Sequence, residues 1–183
     1  MLMKVTDSNS LLVFDPRGVV ESADIPIAPR PQKLDGLRLA ILDNSKWNAN
    51  KILRTSTAAL EKSVKFAKVN YYVKQSFSKD AAPELIAEIA ANNDLVLTAI
   101  GDCGSCCSCC IRDVAALEKL GVPAAAIITT EFERETELTR IAIGMNGLLP
   151  VVIDHPVSSI TQAEVSARAA QVAVQAPKVW LGR

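Results

Sequence analysis

The sequence carries no excess of either charge, no long apolar run, a single histidine, and no cysteine outside one eight-residue stretch. Its 20 basic and 20 acidic residues cancel. Neither sign gathers into a block able to track a phosphate backbone, which argues against nucleic acid as a partner. The hydrophobic fraction of 49% is high, yet no run approaches the roughly 18 apolar residues of a membrane span. Met1 to Asp7 lacks the basic start and apolar stretch of a secretory leader. A cytoplasmic protein with no membrane partner is the expectation. The lone His155 leaves no second base in plain view. Cysteines that build a disulfide framework are scattered to join distant segments. The five here all lie between Cys103 and Cys110, so they mark a site.

A length of 183 residues suits one domain with trimmings. Residues 1–34 hold short apolar pieces, Leu11 to Phe14 and Val19-Val20, then the proline-studded stretch Ile25 to Pro31. Proline at this density favours extended chain, so this part reads as an N-terminal arm. From Leu37 short apolar runs alternate with amphipathic segments, the signature of βαβ units. The expected strands are Leu37 to Leu42, Phe66 to Val73, Asp94 to Ile100, Ala124 to Thr129 and Leu148 to Ile153. Val165, Ala169, Val172 and Ala173 share one face of a helix from Thr161 to Val174. The expectation is a single-domain α/β fold over residues 35–176, with an open, mainly parallel five-stranded sheet and helices on both faces. Residues 177–183 read as a C-terminal tail, and Trp47 and Trp180 as packing residues.

In such a sheet, ligands bind beyond the carboxyl ends of the strands, where loops and helix N-termini converge. The residues that follow the strands are therefore the ones to search. They are Asn44 and Lys46, then Lys74, then Gly101-Asp102-Cys103, then Thr130-Glu131, and last Asp154-His155-Pro156. Cys103 and Cys106 form a CxxC, whose sulfurs can meet as a disulfide or chelate one metal ion. Ser105 is placed to cap a helix beginning near Cys106. A thiolate beside that helix N-terminus is stabilised by the helix dipole, which favours Cys103 as nucleophile and Cys106 as resolving thiol. Asp102 either holds the loop or takes part in the chemistry. His155 is either a structural histidine or a general acid or base. Thr129, Thr130 and Glu131 either bind substrate or cap the helix from about Phe132 to Ile143, and capping is preferred. Asn44, Lys46 and Lys74 could bind a carboxylate, against the plainer reading of the lysines as solvated charges.

The stretch Asn92 to Cys106, with Gly101-Asp102-Cys103-Gly104-Ser105-Cys106 at its end, resembles the hallmark of the UGSC family, in which the first motif position can be selenocysteine. The resemblance runs on through Asp113, Leu117-Glu118, Gly121-Val122-Pro123, Thr129 to Phe132 and Pro150 to Pro156. The same blocks are similar, more remotely, to the selenoprotein B component of glycine, sarcosine and betaine reductases. The resemblance implies a thiol-dependent enzyme in which Cys103 attacks a small activated, carboxylate-bearing molecule while Asp102 or His155 manages protons. That is reductase-type chemistry or carbon–heteroatom cleavage, with a redox disulfide of Cys103 to Cys106, or a mixed disulfide, in the cycle. It also implies a protein thiol reductant as a partner.

Where that family pattern continues with Thr, this chain has Cys107, and Cys109 and Cys110 follow. Cys106 shares a helical face with Cys109 and Cys110. An alternative expectation is therefore a metal-binding protein that holds Zn²⁺, Cu⁺ or an iron–sulfur cluster on Cys103, Cys106, Cys107, Cys109 and Cys110. Alternatively, Cys107, Cys109 and Cys110 are small apolar packing residues. A third expectation makes the chain a subunit of a homo- or hetero-oligomer, with the arm wrapped on a partner.

Overall fold

The computed structural model describes residues 22–183. The apolar pieces Leu11 to Phe14 and Val19-Val20 lie outside the described residues, so the arm is described only from Ser22 onward.

Strands and helices alternate from β1 (Arg38–Asp43) and α1 (Ala49–Leu60) to β2 (Lys68–Val73) and α2 (Pro83–Asn92). They continue with β3 (Leu95–Gly101), α3 (Gly104–Lys119) and β4 (Ala124–Thr129), then a 3-10 turn (Thr130–Phe132) and α4 (Glu133–Ile143). β5 (Val151–Ile153) and α5 (Gln162–Leu181) close the chain. The five strands form one all-parallel sheet in the order β2-β1-β3-β4-β5.

Alternation along each strand divides the core in two. Leu39 and Ile41 of β1, with Leu95 and Leu97 of β3, face Ile52 and Leu53 of α1 and Val165, Val172 and Trp180 of α5. Ala40 and Leu42, with Val96, face Ile86 and Ile89 of α2 and Ile111 and Val114 of α3. α4 packs on α3, joined to it by the Cys107 and Thr136 side chains 3.1 Å apart. β3 and β4 are buried along their whole length. Strands covered on both faces read as continuous apolar runs, which is why Leu95 to Gly101 and Ala124 to Thr129 are so uniformly apolar.

The chain end departs from expectation. α5 does not stop near Val174 but continues through Pro177 to Leu181, so most of the supposed tail is helix. An internal proline costs a helix about 3 kcal/mol. The burial of Ala176 and Trp180 offsets it, and the Trp180 indole N–H donates to the Val96 carbonyl at 2.9 Å.

This strand order places the site. β1 leads through α1 to the edge strand β2, whereas β3 leads through α3 to β4 on the other side. The two connections part at the carboxyl ends of β1 and β3, leaving a crevice at the topological switch point.

Candidate functional site

At the switch point the loop after β1 is tied to β3 by Asn44. Its backbone N–H donates to Ala99 O at 3.0 Å, its side-chain amide donates to Ile100 O at 3.0 Å, and its Oδ1 accepts from Lys46 N at 3.2 Å. Asn44 is fully buried, so it shapes the loop and presents nothing to a ligand. The loop it holds aims Lys46 across the crevice.

α3 starts from the other side of that crevice. Its N-cap is Cys103, whose sulfur accepts from Cys106 N at 3.4 Å. Ser105 is therefore not the cap: the helix begins two residues earlier than expected, at Gly104, and Ser105 sits exposed in the first turn, its Oγ 3.7 Å from Cys103 Sγ. Cys103 and Cys106 are joined as a disulfide with Cα atoms 5.3 Å apart. Cys103 is half-buried at the crevice and Cys106 is completely buried beneath it. Gly101 makes this packing fit, because a Cβ there would meet the Cys107 Cα at 2.9 Å and Ile128 Cγ2 at 3.0 Å.

The ammonium of Lys46 lies 2.8 Å from Asp102 Oδ1 and donates to Cys106 Sγ at 3.0 Å. The Phe77 ring lies 5.2 Å below it. The Asp102 side chain is 1% exposed and its Oδ2 accepts from the Ser158 hydroxyl at 3.4 Å. Oδ1 has no well-directed hydrogen bond, so the lysine charge is what compensates it. Asp102, Cys103 and Cys106 bring one ligand atom each within 4.8 Å of one another. Beside Lys46 an open groove of about 320 Å³ is lined by Asp43, Trp47, Asn48 and Lys51. Trp47, expected as a packing residue, is instead 70% exposed on this groove with Lys51 over its ring.

The other expected site residues divide. His155 is exposed, and its Nδ1 lies 3.0 Å from Thr129 Oγ1, so among the described residues its polar partner is a threonine and neither sulfur. Thr130 and Glu131 are exposed in the 3-10 turn and neither side chain caps α4, contrary to the capping expectation. The 3-10 turn puts Phe132, which has no polar side chain, at the N-cap position of α4. Lys74 is buried, with its ammonium bonded to Asp113 and to Lys79 O at 2.8 Å. It anchors the loop after β2 to α3 and is not open to a solute.

Cys107, Cys109 and Cys110 are free and buried, and their sulfurs diverge. Cys107 faces Thr136, Cys109 faces Arg112 at 3.2 Å, and Cys110 faces Asn44 at 3.5 Å. Burial pushes the Cys107 thiol up to about 11 and Cys110 up to about 12, and it also raises Cys109. None of the three joins the group formed by Asp102, Cys103 and Cys106. Ser158 and Phe77 escaped the sequence search. Each stands three positions beyond an expected site residue, His155 and Lys74, with no motif to mark it.

The architecture and crevice define a class: a parallel α/β protein with a CxxC pair at the N-terminus of the helix that follows its central strand. The particular family is settled by comparison. The UGSC family model matches residues 12–182, nearly the whole chain, and this protein belongs to the UGSC family. No curated protein matches the chain. Among the described residues, no helix is long and apolar enough to cross a membrane.

Proposed function

We propose that this UGSC-family chain is a thiol-dependent enzyme with Cys103 as nucleophile, Cys106 as resolving thiol and a small carboxylate-bearing molecule as substrate. The observation that carries this reading is the asymmetry of the pair. Cys103 caps α3 at the open crevice, where the helix N-terminus favours a thiolate, and Cys106 lies directly under it. The groove beside Lys46, lined by Asp43, Trp47, Asn48 and Lys51, supports a small substrate bound there, with Lys51 as the cation for its carboxylate.

In the cycle the Cys103 thiolate displaces a leaving group from the substrate carbon, which departs with the electrons of the broken bond. Cys106 then attacks Cys103 Sγ. The disulfide forms, and the substrate carbon keeps the electron pair of the broken carbon–sulfur bond and takes a proton from water. The substrate is reduced by two electrons, the cysteine pair is oxidised by two, and a thiol reductant protein resets the pair. Such a cycle suits the cytoplasm, in a homo- or hetero-oligomer.

A second reading has one observation in its favour, the convergence of Asp102, Cys103 and Cys106 on one point. With the pair reduced, these three could hold a thiophilic ion such as Zn²⁺ or Cu⁺. The deciding experiment combines anaerobic purification, native and denatured intact-mass measurement, and assay of a Cys103→Ser variant. Loss of about two hydrogens on mild oxidation, mapped to Cys103 and Cys106, supports the redox cycle, as does a folded but inactive Cys103→Ser. Full activity in that variant, or a stoichiometric metal mass that vanishes on denaturation, overturns it.

A further inference from the structure

We infer that Lys46 is the positioning residue that makes the Cys103–Cys106 couple reversible, by holding an ammonium against Cys106 and stabilising the thiolate released each time the disulfide opens. This rests on the thiol reading above and assigns a task that the cysteines cannot perform alone.

The two sulfurs have different means of carrying negative charge. Cys103 has the first turn of α3, whose Cys106 N–H already points at its sulfur, and it has solvent. Cys106 is completely buried, and the Lys46 ammonium at 3.0 Å is what faces its sulfur. A buried thiolate without such a partner is strongly disfavoured. Cys107, one residue on and with only the Thr136 hydroxyl and the Phe132 carbonyl as hydrogen-bonding partners, is held protonated chiefly by burial, with the Glu135 charge adding to it. The Asp102 carboxylate sharpens the need, since an oxygen of it lies within 4.8 Å of both sulfurs and would repel a thiolate. Lys46 lies between them, 2.8 Å from the carboxylate and 3.0 Å from Cys106, and answers both. It is held in advance by Asp102, by Phe77 and by the Asn44-anchored loop, so little rearrangement is required when charge appears.

The step balances as follows. A thiolate of a dithiol reductant attacks Cys103 Sγ, the half-buried sulfur that a solute can reach. A bond forms between the two, the Cys103–Cys106 bond breaks, and its electron pair leaves on Cys106 Sγ beside Lys46. The second thiolate of the reductant attacks the reductant's own sulfur in the mixed disulfide and releases Cys103. The reductant is oxidised by two electrons and the pair is reduced by two. Leaving is faster the better the departing thiolate is stabilised.

The test equilibrates the full chain with dithiothreitol at pH 7 and follows the oxidised fraction by alkylation and intact mass, for wild type, Lys46→Met and Lys46→Arg. Lys46→Met should favour the oxidised form by about tenfold, which is about 30 mV more negative for a two-electron couple, and should slow reduction at least about tenfold. Lys46→Arg keeps the charge and should stay within about threefold of wild type on both measures. A folded Lys46→Met variant with wild-type equilibrium and rate overturns the inference. So does Lys46→Arg falling as far as Lys46→Met, since charge is then not the agent. Lys46→Gln, polar but uncharged, replaces Lys46→Met if that chain does not fold, with the same expected shift. A wild-type protein with no reducible Cys103–Cys106 couple would instead sink the parent reading, and that outcome is read separately.

Discussion

Burial pushes the Cys110 thiol up to about 12 and the Cys107 thiol up to about 11, from an ordinary value of 9.0. In the unfolded chain both ionise near that ordinary value, so between pH 9.0 and about 11 to 12 the unfolded state binds fewer protons than the folded one. The stabilisation is therefore fully present below pH 9 and is lost as pH rises through the folded values. Denaturant midpoints should fall from pH 9 upward, each thiol contributing at most about 1.4 kcal/mol per pH unit. A Cys107→Ala/Cys110→Ala double variant should show a shallower alkaline fall, and an unchanged slope would show that these thiols are not held protonated. That Cys103 and Cys106 stand apart from their neighbours was legible in the sequence, because CxxC spacing after an apolar strand is a local signal. Which of the remaining sulfurs would be packing was not legible, because for Cys107 and Cys110 that depends on Thr136 of α4 and Asn44 of the loop after β1, both distant in sequence. Nor was the meeting of Lys46 with Cys106, which joins residues 60 positions apart.

The elements themselves were largely legible, since β3 and β4 are continuous apolar runs and α1, α3 and α5 carry helical periodicity toward one core or the other. The end of α5 was not, because a proline signals a stop locally while burial of Trp180 acts across the fold. The junction of β3 with α3 shows how tightly an element can be set by one residue. At Gly101 an added Cβ would meet a backbone atom, the Cys107 Cα at 2.9 Å, and no side-chain rotation relieves that. Gly101→Ala should therefore push the first turn of α3 off the sheet and destabilise the protein by about 1–3 kcal/mol, the usual range for overpacking. Because Cys103 and Cys106 ride on that turn, the variant's disulfide should also equilibrate differently with dithiothreitol. Urea denaturation and the same alkylation assay read the two effects, and a variant with wild-type values for both would mean that α3 is not seated by this contact.

Across the whole molecule, the segment from Ser22 to Leu34 runs without helix or strand along the side of the sheet opposite the crevice, and one buried carboxylate fastens it. Glu118, near the end of α3, accepts from Ala28 N at 2.8 Å and from the Arg30 guanidinium through one oxygen, and from Ala124 N at 2.8 Å through the other. Ile25 N adds a bond to Gly144 O at 2.7 Å, and Ile27 rests against Gly147. The fastening spans about 90 positions of sequence, so composition could show an extended proline-rich stretch but not where it lies. Glu118 links that segment to α3 and to the start of β4, the strand beside the one that leads to the cysteines. Removing the carboxylate leaves the largely buried Arg30 guanidinium and two backbone amides without their acceptor. Breaking a buried pair from one side typically destabilises by about 3–5 kcal/mol. Glu118→Ala should cost about that much in urea denaturation and should speed amide exchange at Ile25 and Ala28 more than in the first turn of α3. Faster exchange spread evenly through α3 and β4 would instead mean that Glu118 stabilises the core as a whole, with the N-terminal segment held by other contacts.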